Sequence, residues 1–330
     1  MKYRFLGNTG VRVSELCYGT MSFGGDADEK TSEQLYKACR DAGINFFDCA
    51  NVYAGGESER ILGRLMKAER NELVITSKVY FPTADSPNSR GSTRYHIVRA
   101  VEDSLRRLDT DRIDFYFLHR FDDVTPIEES LRALDDLVRS GKVLYLGVSN
   151  FAAWQVSKAN GVAALHNWAP IACLQPMYNL VKRQAEVELL PMAASEKLGV
   201  ISYSPLGGGL LTGKYTTANR PDTGRLVENS MYQTRYGAEG TLEAAEQFSA
   251  LARDLGVHPA SLALRWVSTH PAITAPIAGA RNTDQLSAAL ASVDIDMDSE
   301  LRNRISAITP SPPPATDRSE ERQGVDYGKR

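Results

Sequence analysis

Cysteine is scarce in this chain of 330 residues, and the four present (Cys17, Cys39, Cys49 and Cys173) form no Cys-x-x-Cys pair. Nothing in that spacing suggests a thiolate metal site or a disulfide framework, so reduced thiols are expected. Histidine is almost as rare: His96, His166, His258 and His270 have no metal-ligand spacing, and no metal is expected. No stretch approaches the ~18 apolar residues of a membrane span. The opening Met1 to Leu6 lacks the apolar centre of a signal peptide. Long basic runs are missing too, and 38 Lys and Arg against 41 Asp and Glu leave a net charge of -3. That balance argues against nucleic acid or an anionic membrane as the main partner. These absences point to a soluble cytoplasmic protein, monomer or homo-oligomer, acting on a small molecule.

What is present is ample apolar material, 42% of residues, with 24% charged. Residues 3–6 and 11–13 flank a Gly-Asn-Thr-Gly turn and suggest a β-hairpin. Leu16 to Gly19 gives a first short strand, and further strands are expected near 44–47, 73–78, 113–117, 142–148, 171–175, 200–203 and 273–277. Helical spacing fills most of the intervals: 31–42, 57–67, 94–108, 126–139, 151–164, 184–198, 241–255 and 259–269. Pro126 opens one of these helices, with Thr125 as the expected N-cap. Eight strands alternating with helices predict an α/β fold, a (β/α)8 TIM barrel with an N-terminal β-hairpin, spanning residues 1–310. A doubly wound sheet is the alternative. Its dinucleotide sites usually carry G-x-G-x-x-G after the first strand, where Thr20-Met21-Ser22-Phe23-Gly24-Gly25 stands instead. Residues 206–240 read as one long segment of functional or disordered type. Residues 311–330, Pro-rich and then charged, read as a tail lying on the surface or disordered.

Chemistry-bearing residues sit at successive strand ends, the edge where barrels carry their active sites. Asp48 and Tyr53 follow the second barrel strand, Lys78 closes the third and His119 the fourth. Singly, Asp48 reads as a helix cap, Tyr53 as loop packing, Lys78 as a surface lysine and His119 as a satisfied core histidine. Together at one rim they form a plausible acid/base site.

Over residues 3 to 300 the chain resembles the aldo-keto reductases. The resemblance rests on Phe47-Asp48-Cys49-Ala50-Asn51-Val52-Tyr53, Lys78, Gly91 to Ile97, Arg107 to Asp111 and Leu118-His119-Arg120, in that order. Gly147 to Phe151 and Ser202 to Leu211 continue it. It implies a (β/α)8 barrel that binds NADP(H) and reduces carbonyls, with Asp48, Tyr53, Lys78 and His119 as the catalytic tetrad. Tyr53 would give the proton to the carbonyl oxygen. A phenol titrates near 10, so work at neutral pH calls for a downward shift of up to ~3 units, about 4 kcal/mol. An ammonium ~4 Å away at an effective dielectric of ~20 supplies about that much, less the cost of desolvation. Asp48 would hold Lys78, and His119 would bond the carbonyl oxygen.

The same resemblance assigns the cofactor residues. Ser149, Asn150 and Gln175 would hold the nicotinamide carboxamide, and Tyr203 would stack on the ring. Ser204, Leu206, Gly208 and Lys214 would follow the pyrophosphate, although a glycine run alone reads equally as a flexible turn. The segment from Ile277 to Gln285, with Gly279, Arg281 and Gln285, would surround the adenosine phosphate. Arg281 meeting a 2′-phosphate would favour NADPH; otherwise it is a helix-start arginine with a solvated partner. Relatives often carry Glu-Asn where this chain has Ala288-Ala289, which implies a weaker grip on adenine. Arg120 either binds an anionic substrate group or pairs with Asp122 or Asp123, and Cys49 reads as a small buried filler or a redox-sensitive thiol. The expected function is NAD(P)H-dependent reduction of an aldehyde or ketone, such as a sugar or other small carbonyl. The alternative is a cofactor-binding regulatory subunit resembling the β-subunits of potassium channels.

Overall fold

Two short strands, Tyr3–Phe5 (β1) and Arg12–Ser14 (β2), pair antiparallel across the Gly7–Gly10 turn. Leu6, just after β1, and Val13, in the middle of β2, are fully buried in the cluster that fills the barrel interior. The computed structural model describes residues 1–216 and 221–316. Eight parallel strands follow: Cys17–Gly19 (β3), Phe46–Asp48 (β4), Val74–Val79 (β5), Ile113–Leu118 (β6), Val143–Ser149 (β7), Ile171–Gln175 (β8), Gly199–Val200 (β9) and Ile277–Ala278 (β10). Their order is β10-β3-β4-β5-β6-β7-β8-β9, every neighbour parallel. The ends of that order also meet. The amides of Thr274 and Ala275 donate to the Val200 carbonyl, and that of Ile277 to Ser202, at 2.8–3.2 Å. The expected barrel with its hairpin is the fold, and the hairpin stops the N-terminal mouth. A Cβ on Gly199 would stand 2.6 Å from Leu6, so the plug fits against bare backbone there.

The helices bury their apolar stripes against the outside of the sheet. They are Glu29–Asp41 (α1), Glu57–Met66 (α2), Arg94–Leu108 (α3), Ile127–Arg139 (α4), Ala153–His166 (α5) and Leu189–Ser195 (α6). Beyond β9 come Arg225–Glu228 (α7), Ser230–Tyr236 (α8), Thr241–Asp254 (α9), Pro259–Ser268 (α10), Thr283–Leu290 (α11) and Ser299–Ser306 (α12). Asp28 and Thr93 cap α1 and α3 through their side-chain oxygens.

Three details differ from the sequence reading. Thr125 does not cap α4. Pro126 takes the cap position, and the Thr125 hydroxyl donates to Asp122 at 2.9 Å, a carboxylate that also collects the amides of Ser92, Val124 and Thr125. The helix expected over 184–198 breaks into a 3-10 turn, Gln184–Glu186, and α6, because Pro191 cannot donate to a preceding turn. The segment 206–240 contains a 3-10 stretch, Gly207–Thr212, together with α7 and α8. Residues 311–316 carry no helix or strand, and the rest of the expected tail lies outside the described residues. Among the described residues no helix is long and apolar enough to cross a membrane.

Candidate active site

Side chains alternate across a strand, and the inward set of this barrel can be followed from its apolar middle to its C-terminal rim. Phe46, Val74, Phe115, Phe117, Cys173, Ile201 and Ala275 belong to the interior cluster, with Tyr145 and Ile277 packed against it. Moving on in steps of two residues reaches Asp48 on β4, Thr76 and Lys78 on β5, His119 after β6, Ser149 on β7 and Gln175 on β8. The same steps reach Tyr203 after β9 and Gly279 after β10. The site is thus the polar last layer of an otherwise apolar barrel. Gly147 is required in the layer below, since a Cβ there would lie 2.4 Å from the Phe117 ring.

Asp48 and Lys78 form the centre. Both are buried, at 2% and 0% exposure, and the ammonium lies 2.7 Å from Asp48 Oδ2. Asp48 Oδ1 accepts from Thr76 Oγ1 at 2.7 Å and from Gln175 Nε2 at 2.8 Å. Asp48 is therefore the acceptor of a buried network and caps no helix. Lys78 also donates to the Cys49 carbonyl at 2.7 Å and to Tyr53 Oη at 3.3 Å. An ammonium has three donors and no acceptor, so these contacts use all of them. Tyr53 Oη must accept from Lys78, which leaves its own proton with no acceptor among the described residues.

Burial disfavours the Lys78 charge, but Asp48 together with Tyr53 and Cys49 more than offsets it and holds the pKa above that of an ordinary lysine. For Tyr53 the balance goes the other way. Burial pushes the phenol up to about 12, and Lys78 pulls it back only in part. The ammonium on its own would lower the pKa as expected from the sequence, but here desolvation is the larger effect. Burial, and then Lys78, hold the His119 imidazole well below its ordinary pKa, so it is neutral. Its Nδ1 is buried without a partner among the described residues, and its ring meets Tyr53 and Phe81 edge-on at centroid distances of 6.1 and 4.9 Å.

The residues assigned to the carboxamide cluster beside this centre. Asn150 adopts a left-handed backbone, φ 56°. Its Nδ2 donates to the His119 carbonyl at 2.8 Å and its Oδ1 accepts from Tyr203 Oη at 2.7 Å. Ser149 Oγ donates to the Gln175 carbonyl at 2.9 Å. One Gln175 Nε2 donor is committed to Asp48, which leaves its Oε1 and the second N–H to meet a carboxamide.

The residues assigned to the pyrophosphate also lie together. Gly207, Gly208 and Gly209 all have positive φ (59°, 69° and 100°), and a Cβ on Gly208 would stand 2.7 Å from Tyr232 of α8. This is a packed turn, which sets aside the reading of a merely flexible one. Ser204 is also left-handed, its carbonyl held by Asn179 Nδ2 at 2.8 Å. Lys214 lies over the Tyr215 ring, and Arg225 and Arg235 lie 5.6 and 5.1 Å from the centre of Tyr232. None of the three cations has a carboxylate partner among the described residues. Three cations without a carboxylate contact among the described residues, gathered about a glycine turn, fit a bound diphosphate. Arg225 and Arg235 were not found from the sequence, because nothing in a long polar segment marks which arginines return to the rim.

At the far end, Arg281 Nε pairs with Asp26 Oδ2 at 2.9 Å, and its amide donates to Gln285 Oε1 at 3.0 Å. Ala289 is buried against the core. Arg120 is exposed and has no ion pair among the described residues, since Asp122 is engaged by its own loop. Cys49 is buried, with a thiol pKa pushed up to about 12 mainly by burial, which fits a filler and not a reactive thiol. Among the described residues no cluster of His, Cys, Asp and Glu is placed to hold a metal ion.

Residues 15–310 match the Aldo/keto reductase family. The chain is 41% identical over 330 residues to an uncharacterized oxidoreductase, YrpG, of Bacillus subtilis, covering 94% of this chain and 97% of that one. It is 36% identical over 326 residues to a probable voltage-gated potassium channel subunit beta of rice (Oryza sativa subsp. japonica), covering 96% and 99%. To a putative aryl-alcohol dehydrogenase of Schizosaccharomyces pombe it is 34% identical over 330 residues, covering 90% and 93%.

Proposed function

The chain belongs to the aldo/keto reductase family, and from that premise we propose that it reduces an aldehyde or ketone to the alcohol with NADPH, Tyr53 giving the proton. The observation that carries this reading is the use of all three Lys78 donors, which turns the Tyr53 proton toward whatever lies above the rim. When bound, the dihydronicotinamide supplies the hydride. Ser149, Asn150 and Gln175 would hold its carboxamide and Tyr203 its ring, with Ser204, Leu206, Gly208 and Lys214 along the diphosphate. Gly279, Arg281 and Gln285 would meet the adenosine end.

The chain's own residues divide the remaining work. His119, neutral, donates one N–H to the carbonyl oxygen and orients it. Tyr53 hands its proton to that oxygen as negative charge develops there. An alkoxide is more basic than a phenolate even at a phenol pKa of about 12, so the transfer runs downhill. Lys78 stabilises the phenolate that remains, and Asp48 keeps Lys78 charged and aimed. General acid catalysis of this kind is worth roughly 10²–10⁴-fold. Phe81, edge-on to His119, puts an apolar ring beside the oxygen-binding group. With the relative named as an aryl-alcohol dehydrogenase, this favours flat, apolar carbonyls such as aromatic aldehydes.

A second reading is a cofactor-binding regulatory subunit, motivated by the relatives named as potassium channel β-subunits. One experiment separates the two: oxidation of NADPH and of NADH by the purified chain against aromatic and aliphatic aldehydes, ketones and sugars. Turnover is expected with NADPH and at least one aldehyde. Tight cofactor binding with no turnover on any substrate, together with retention of a channel in a pull-down, would favour the regulatory role.

A further inference from the structure

The segment after β3 and the segment after β10 are neighbours, because those strands pair. The two segments are stapled together. Ser22 Oγ donates to the Ala280 carbonyl at 2.7 Å, and the turn from Ser22 to Ala27 is closed by amide bonds from Gly25 and Ala27 to the Ser22 carbonyl. Asp26 stands on that turn, and its carboxylate reaches Arg281 Nε at 2.9 Å. The two side chains are 50% and 39% exposed, at the rim and not in the core. Arg281 has no other carboxylate partner among the described residues.

This pairing bears on the choice of cofactor. A guanidinium that meets a 2′-phosphate must share its donors with Asp26 or release it, and either way a carboxylate stands within one guanidinium's width of the phosphate charge. A free ribose 2′-hydroxyl brings a donor that a carboxylate can accept, the same chemistry by which an acid selects NAD and an arginine NADP elsewhere. We propose that Asp26 is a cofactor-specificity residue: by holding Arg281 and repelling a 2′-phosphate it narrows the preference for NADPH, so that the protein uses both NADPH and NADH. This rests on the reading that Arg281 meets the 2′-phosphate.

The test measures dissociation constants for NADPH and NADH, without turnover, in the wild type, Asp26→Asn, Arg281→Gln and the double variant. Asp26→Asn replaces a half-exposed carboxylate with an amide of the same shape, and thermal melts verify the fold. It is expected to tighten NADPH roughly three- to tenfold, the scale of one partly screened charge, while NADH stays unchanged or weakens slightly. The gain should shrink with added salt and vanish in the double variant. Selective loss of NADPH in Arg281→Gln with no selective gain in Asp26→Asn would overturn the role of Asp26 alone. An unchanged NADPH to NADH ratio in Arg281→Gln would instead remove the assignment of Arg281, and the proposal with it.

Discussion

At the scale of single residues, the geometry turns on one donor count. Lys78 has three N–H groups and three partners, so Tyr53 receives a hydrogen bond from it and keeps its own proton free. The phenol stays protonated until the pH passes about 12, and His119 stays neutral until well below its ordinary pKa. Neither group changes charge in between. The kcat/KM for carbonyl reduction should therefore be flat from about pH 6 to about pH 9. A pH–rate series that fell steeply near 7 would show that one of the two assignments is wrong. The Asp48–Lys78 pair makes a separate prediction. Removing one partner leaves a charge stranded in the barrel, so Lys78→Met should cost about 3–5 kcal/mol. The double variant Asp48→Asn/Lys78→Met should recover part of that loss, as measured by denaturant unfolding.

At the scale of elements, the rim was legible because strands have a period of two. Asp48, Lys78 and His119 each lie two residues beyond an inward-facing residue, Phe46, Thr76 and Phe117, and a titratable group closing an apolar run is visible in the sequence. Short elements were less so. β9 and β10 have two residues each, held by backbone bonds that no side-chain pattern encodes. The capping of α4 differs from the expected one because Pro126 takes the cap position and Asp122, three residues upstream, takes the Thr125 hydroxyl. α7 and α8 went unseen in a polar segment, where α8 packs Tyr232 and Tyr236 on the glycine turn. That packing can be tested. Gly208→Ala combines a left-handed backbone with a Cβ 2.7 Å from Tyr232, whereas Gly10→Ala, also left-handed, meets no atom within 4 Å. Both should lose about 1–2 kcal/mol through backbone strain. Only Gly208→Ala should also weaken cofactor binding, and equal affinities in the two variants would contradict the role given to the turn.

At the scale of the whole molecule, the two mouths of the barrel do different work. The N-terminal mouth is stopped by the hairpin, with Leu6 and Val13 fully buried, while the C-terminal rim gathers the polar side chains. Leu6→Ala should therefore cost about 2–5 kcal/mol in stability and leave kcat nearly unchanged, which thermal melts and steady-state kinetics would check together. The hairpin and the barrel could be read in advance from local patterns, and so could the placing of Asp48, Lys78 and His119 at strand ends on one rim. The Asp26–Arg281 pair and the returning arginines could not, since only the closed barrel brings β10 beside β3 and α8 over the glycine turn. The central claim, that Tyr53 is the proton donor of a carbonyl reductase, is tested most directly by comparing cofactor binding and turnover in the wild type and Tyr53→Phe. The account predicts NADPH affinity within about twofold and kcat/KM lower by roughly 10²–10⁴. Turnover retained in Tyr53→Phe at the wild-type rate would contradict it.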